Sequence, residues 1–384
     1  MTPPARLSAA IEVLDRILTG SNAEQVLTNW GRANRYAGSG DRAGIRDLVY
    51  DALRCKRSFA ALGGSMTGRG LVLGGVRASG IDVEGLFTGE GHAPAVIGPA
   101  DEGRIPHLLE ALDCPDWLAQ RLIDSLGDDF AAVMQALRRR AGVYLRVNSG
   151  KVTVAQAQTS LAAEGIATVP ADLASTAIEV IENERKVQNS NAYANGLVEL
   201  QDAASQAVVE ALYLRDGMKV LDYCAGGGGK ALAIAAKATV SVFAHDADPR
   251  RMRDLPARAK RAGAKISILE SITSSSAYDL VLTDVPCSGS GSWRRDPQGK
   301  WTLTAERLAA LTSLQAEILD RAAPLVTSKG DLAYVTCSVL KEEDEAQIEA
   351  FLSRHKGWEV HLQHRYSPLQ GGDGFFVAIL RRIV

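Results

Sequence analysis

Cysteine is scarce in this 384-residue sequence: there are five, with no CxxC pair and no Cys/His cluster at zinc spacing. An odd, scattered set of this kind excludes a disulfide framework and a zinc module and fits a reducing cytoplasm. Neither sign of charge is in excess, with 43 Lys and Arg against 45 Asp and Glu and a net charge of −2. No bulk positive field draws a polyanion to this chain, so any nucleic-acid surface must be local. The opening MTPPARLSAA lacks the basic start and apolar run of a signal peptide, and no stretch approaches the ~20 apolar residues of a membrane span. Internal repeats and low-complexity segments are missing as well. These absences predict a soluble cytoplasmic protein with no membrane partner and no metal; a monomer is the default. What the chain does have is core material: it is 46% hydrophobic and 23% charged, too long for one comfortable core, which implies two or three domains.

Its texture changes twice along its length. Leu7, Ile11, Leu14 and Leu18 repeat at helical spacing, and a second helical run starts near Asp41 with Ile45, Leu48, Val49, Ala52 and Leu53 on one face. The glycine-rich stretch from Gly63 to Gly103 predicts loops or irregular turns, and helical pattern resumes from Ile105 to Arg140. Residues 1–140 therefore predict an all-helical domain. From Gly142, VYLRVN reads as a strand, Val154–Glu164 as a helix, and IATVP and AIEVI as strands, a small α/β unit over 141–200. Beyond Gln201 strands and helices alternate. Lys219–Tyr223, Val240–His245, Ile266–Leu269, Leu280–Asp284 and Asp331–Thr336 are strand-like, which predicts a doubly wound, mostly parallel sheet over 201–384. The late strand Phe375–Leu380 is expected to pair antiparallel at the sheet's edge.

Two places in that sheet carry chemistry. VLDYCAGGGGKALAIAA runs strand, glycine turn, helix. Glycines let a ligand approach the backbone, and the helix start offers N–H donors. About twenty residues on, Asp246 ends the next strand, where an acid accepts hydrogen bonds from the ribose hydroxyls of a nucleoside cofactor. Gly226-x-Gly228-x-x-Ala231 also satisfies the dinucleotide fingerprint, so an NAD-dependent oxidoreductase is a rival reading. A phosphate-binding loop is not, because Ala231 stands where Ser or Thr would hold magnesium. The second place is a pair of segments, LVLTDVPCSGSGSWRRDP and LAYVTCSVLKEEDE. Each puts a cysteine just beyond the carboxyl end of a predicted parallel strand, where open α/β sheets build their sites, so Cys287 and Cys337 can share one cleft. Cys55 and Cys114 read as small buried hydrophobes.

At these residues the chain resembles the RNA 5-methylcytosine methyltransferases of the Sun type. Asp284-Val-Pro-Cys287-Ser-Gly-Ser-Gly with Arg294-Arg295-x-Pro297 is similar to the family's fourth motif, and Thr336-Cys337-Ser338 with its acidic tail to the sixth. Asp222-x-Cys224-Ala225 through Gly228-Gly229-Lys230 resembles the first motif. Gln201-Asp202-x-Ala204-Ser205-Gln206 resembles the signature before it, and Asp373-Gly374-Phe375-Phe376 the closing strand. The resemblance covers about residues 143–384; Leu145-Arg146-Val147-Asn148 matches the RNA-facing linker subdomain. More faintly, Asp41-Arg42-Ala43 with Leu48-Val49-Tyr50 and Leu53-Arg54 resembles the NusB-type helical domain found ahead of a bacterial 16S rRNA enzyme. The first motif departs from the family where Gly227 replaces a proline. The acid expected after the third strand has Glu270 as its nearest candidate and Ser271 as the next.

The resemblance implies S-adenosylmethionine-dependent methylation of cytosine C5 in RNA, with 16S rRNA the expected substrate and tRNA the alternative. Cytosine C5 is a poor nucleophile, and a thiolate adding at C6 pushes electron density onto it. The family assigns that nucleophile to Cys337 and assistance in product release to Cys287. Asp284 would hydrogen-bond the base and lie near the methyl donor, with a raised carboxyl pKa if it protonates N3, and Lys230 would orient Asp284 or the base. Cys224, Ala225, Gly226, Gly227, Gly228, Gly229, Lys230, Asp246, Glu270 and Asp284 would hold the cofactor. Arg294 and Arg295, followed by Trp301, and Arg138, Arg139 and Arg140 are the candidate RNA contacts; the basic helix Arg250–Lys265 is a further one, or a solvated face. A non-catalytic RNA-binding assembly factor is the reading from another class.

Overall fold

A computed structural model describes residues 1–273 and 277–383. The chain divides into two compact units, one of residues 1–140 with 293–302, the other of residues 141–292 with 303–384. The short stretch after the fourth motif thus belongs with the helical unit and not with the sheet that flanks it in sequence.

The first unit is helical, as the periodicity predicts. Its first helix, Pro3–Leu18, is capped by Thr2, whose hydroxyl accepts from the Ala5 amide. Ala23–Ala33 is capped by Asn22, and Ser39–Arg54 and Lys56–Gly63 meet at Cys55. Leu14, Trp30, Ile45, Val49, Leu71 and Leu73 form its core. Contrary to the loops expected of the glycine-rich stretch, Gly68–Ala78 is a helix. The reason is tertiary: a Cβ on Gly74 would sit 1.9 Å from the Phe59 carbonyl oxygen and one on Gly63 1.8 Å from that of Gly70. The helices touch backbone to backbone, and closeness of that kind outweighs glycine's poor helix propensity of ~1 kcal/mol per residue.

The second unit holds two sheets. The smaller is antiparallel, of β1 (Val143–Val147), β2 (Ala167–Pro170), β3 (Ala177–Glu182) and β4 (Val198–Leu200) in the order β2-β3-β1-β4. The helix Val154–Ala163 starts at Thr153, which exchanges capping hydrogen bonds with Gln156. The larger sheet contains β5 (Lys219–Asp222), β6 (Ser241–Ala244), β7 (Ile266–Ile268), β8 (Tyr278–Asp284), β9 (Val326–Thr336), β10 (Trp358–Tyr366) and β11 (Phe375–Arg382) in the order β10-β11-β9-β8-β5-β6-β7. β5 to β9 pair in parallel, and β11 runs antiparallel between β9 and β10. This is the Rossmann-like, doubly wound architecture with an antiparallel margin. One detail differs: β11 is internal, and the edge is β10, whose alternating and largely exposed WEVHLQHRY shows no apolar run to mark it. The chain leaves β5 toward β6 and β7, then returns to the other side as β8, so the order reverses between β5 and β8. Ligands of open α/β sheets sit at that point, outside the strands' carboxyl ends. No helix among the described residues is long and apolar enough to cross a membrane, and they include no cluster of three metal-ligating side chains.

Candidate active site

Parallel pairing carries the carboxyl ends of β5, β8 and β9 to one edge, and with them Lys230, Asp284, Cys287 and Cys337. The two sulfurs lie 3.3 Å apart. Lys230 opens the helix Gly229–Lys237, and its buried ammonium donates to Asp284 Oδ2 at 2.7 Å, with the Phe375 ring 5.2 Å away. Oδ1 of Asp284 makes no hydrogen bond among the described residues, which leaves an acceptor for a ligand. Burial opposes the Lys230 charge, but Asp284, Asp222 and Cys337 outweigh it and raise the ammonium's pKa. The two thiols are driven apart. The hydrogen bond between the two sulfurs lowers Cys337 below the ordinary thiol value against burial and the Asp284 charge, with Lys230 and the Ser292 hydroxyl helping. The same bond, then burial and the Glu343 charge, raise Cys287 well above it. Such a pair can present a nucleophilic thiolate next to a thiol that donates to it.

Gly226 and Gly228 have φ of +51° and +78°, and a Cβ on Gly228 would meet Leu255 Cδ1 at 2.2 Å, so the turn requires glycine there. Asp246 accepts from the Gly226 amide at 2.9 Å and the Asp248 amide at 2.9 Å. The half-exposed Arg251 guanidinium donates to it at 3.1 Å, so a ribose hydroxyl on Asp246 would share or displace Arg251. Burial, together with the charges of Asp222, Asp284 and Asp246, raises the Cys224 thiol. Glu270 lies apart, exposed beyond β7.

Of the candidate RNA contacts, Arg295, Arg139 and Arg140 are exposed. Arg294 departs from the expectation: it is 7% exposed, inside the helical unit, and its carbonyl accepts from Arg54 Nε at 2.8 Å. Arg138 is engaged with the fully buried Asp113 at 2.7 Å and with the Ser58 hydroxyl, and the Trp301 indole donates to the Leu53 carbonyl at 2.6 Å. On the basic helix, Arg258 and Arg261 pair with Glu199 of β4 at 3.4 and 2.7 Å, which makes them internal ties and not a solvated face.

Three contributors escaped the sequence reading. Asp222, at the end of β5 and 1% exposed, has neither carboxyl oxygen hydrogen-bonded within the described residues. Burial and the Asp284 charge push it up to about 7, with Lys230 opposing. Arg146 of β1 reaches the Gly229 carbonyl at 2.8 Å, joining the small sheet to the glycine turn. Glu343 bridges the two cysteine loops. The signal for Asp222 was present in the first motif; Arg146 and Glu343 were visible only as members of LRVN and of an acidic tail.

Residues 209–381 match the family described as 16S rRNA methyltransferase RsmB/F. Residues 114–188 match an RsmF/B-like ferredoxin-like domain, beginning among the helices before β1 and ending before β4. The ribosomal RNA small subunit methyltransferase B of Photorhabdus laumondii is 34% identical over 284 residues, covering 70% of this chain but only 66% of that protein. That of Vibrio cholerae is 32% identical over 82% of this chain and 72% of its own length. The crystal structure of PH0851 shares the fold, with a TM-score of 0.77 at 22% identity over 100% of this chain and 99% of that one. On this likeness, the chain belongs to the RsmB/F family of methyltransferases.

Proposed function

We propose that this protein methylates C5 of cytosine in RNA, with 16S rRNA as substrate and S-adenosylmethionine as methyl donor. The observation that carries the reading is the cluster at the switch point: paired sulfurs 3.3 Å apart beside a Lys230–Asp284 pair at 2.7 Å. Family membership and the names of the relatives support the RNA substrate; the nicotinamide rival gives these cysteines no task.

S-adenosylmethionine, when bound, supplies an electrophilic methyl group. The residues that would hold it are the Gly226–Gly229 turn, Cys224 and Ala225 before it, Asp246 for the ribose hydroxyls, and Lys230 and Asp284 on the side of the base; Glu270 is the candidate for the adenine end. Two features fit such a ligand: the turn at Gly228 has no space for a Cβ, and the buried Asp222 carboxyl beneath it lacks a hydrogen-bond partner among the described residues. The Cys337 thiolate adds to C6 of a base drawn out of its stack, and the ring's electron pair becomes available at C5. Lys230 fixes Asp284, whose remaining oxygen accepts from the exocyclic amine of the base. After methylation a base removes the C5 proton, the C5–C6 double bond re-forms and Cys337 leaves with its electron pair; Cys287 assists this release. Arg295, Arg139 and Arg140 are the exposed cations for phosphate contacts, whose affinity falls steeply with salt.

Incubation with methyl-labelled S-adenosylmethionine and unmodified 16S rRNA or tRNA, followed by nucleoside analysis, tests the reading. Labelled 5-methylcytidine in the rRNA alone is the expected result. Label only in tRNA overturns the substrate, and label on another atom overturns the chemistry. No label in free RNA or in assembling small-subunit particles favours the silent assembly factor.

A further inference from the structure

We propose that Glu343 is a positioning residue that decides which active-site cysteine carries their shared proton, holding Cys287 as the thiol and thereby leaving Cys337 as the thiolate. The inference rests on the roles given to the two sulfurs above.

Glu343 is fully buried in the turn after β9, where its amide donates to the Leu340 carbonyl and its carbonyl accepts from the Tyr334 hydroxyl at 2.6 Å. Its side chain reaches the residue that follows each cysteine. One oxygen accepts from the Ser288 amide at 2.8 Å and Gln315 Nε2 at 3.0 Å; the other accepts from the hydroxyls of Ser288 and of Ser338, the latter at 2.6 Å. In all four bonds the carboxyl is the acceptor, the pattern of a carboxylate. Gln315 also holds the Pro286 carbonyl at 2.9 Å, so the Cys287 loop is gripped on both sides. Ser290 bonds Ser338 at 2.9 Å, and the Gly291 amide donates to the Cys337 carbonyl at 3.0 Å. These ties set the sulfur–sulfur distance.

The charges around the pair are unequal. On the Cys337 side stand the Lys230 cation and Asp284, themselves paired, with Asp222 behind Lys230. On the Cys287 side stands the Glu343 anion, whose charge adds to the elevation of that thiol. The other groups packed there are the Tyr334 hydroxyl, raised by burial, and Asp344, which is bonded to Thr336 and lies 3.2 Å from Arg365. The Glu343 carboxylate, 2.8 Å from the amide that follows Cys287, is in no ion pair among the described residues, whereas the Lys230 and Asp284 charges on the Cys337 side largely cancel each other, so the proton goes to the sulfur nearer the uncompensated anion. A tie that served only to join the loops would leave that choice unaltered.

The test is cysteine alkylation of the whole protein by iodoacetamide, without RNA or cofactor, followed across pH and resolved by peptide mass spectrometry. In the native protein Cys337 should label first, and in Glu343→Gln its preference over Cys287 should fall ~10-fold, the equivalent of one pKa unit. Glu343→Asp, which keeps the charge, should restore the preference. An unchanged preference in a folded Glu343→Gln variant overturns the proposal. Should that variant fail to fold, Ser288→Ala decides, because it removes a tie and keeps the anion: preserved preference supports the proposal, and lost preference overturns it. The readout needs no methyl transfer, so an asymmetric pair in a protein inactive on every RNA would sink the proposed function and leave this inference standing.

Discussion

Cys55 and Cys114 in the helical unit and Cys287 and Cys337 in the sheet unit are one residue type in two environments. Burial pushes the first two thiols up to about 11, and their nearest acceptors are carbonyls at long range, Arg138 at 3.9 Å and Pro115 at 3.6 Å. Charged groups stand near them too, Asp113, Arg138 and Lys300 around Cys55 and Lys300, Arg57 and Asp116 around Cys114, but burial outweighs these. The second two sit half-buried on loops beyond parallel strands, where each finds the other and one faces a lysine. On the proposed mechanism the strand-end geometry, and not the residue type or depth, is what would make a cysteine reactive here.

The sharpest way to break this contrast is Cys337→Ala. Methyl transfer should fall by ~10³-fold or more while cofactor titration stays nearly unchanged, and retained activity would remove Cys337 from its place as nucleophile. Next in size, Cys287→Ala should slow turnover and accumulate a protein–RNA adduct that survives denaturation, visible as a shifted band on a denaturing gel; normal turnover without that band would reduce Cys287 to packing.

The pH dependence of labelling in the native protein sharpens the comparison further. A thiol with a lowered pKa forms its thiolate at lower pH, so Cys337 should alkylate below the range of an ordinary cysteine. Cys55 and Cys114, held near about 11, carry little thiolate at pH 8 and should label ~100-fold more slowly. Equal rates would erase the distinction between the units. The smallest effect belongs to Cys114→Ala. Loss of one fully buried sulfur should lower stability by ~1 kcal/mol, read in a melt, with turnover per folded molecule unchanged.

The candidate cluster was legible in the sequence because its residues lie in short contiguous segments beside apolar strands, and parallel pairing then leaves little choice about where those strands end. Glu343 was not legible as a bridge, since nothing local distinguishes it from Glu342 beside it; its partners come from loops far apart in sequence. Arg294 and Arg295 are neighbours of identical chemistry, and only packing buries the first and exposes the second. The helix Gly68–Ala78 went unread because its stability comes from a partner helix at backbone contact, whereas propensity and glycine count are local quantities.

The sequence by itself determined the order of helices and parallel strands, the glycine turn and the two cysteines at strand ends, because hydrophobic periodicity and turn chemistry act over a few residues. The tertiary structure alone decided which arginines face water, that residues 293–302 join the helical unit, that β10 and not β11 is the edge, and that a buried carboxylate spans the two cysteine loops. Those outcomes depend on groups distant in the chain sharing one low-dielectric space, where each buried charge must find its partners.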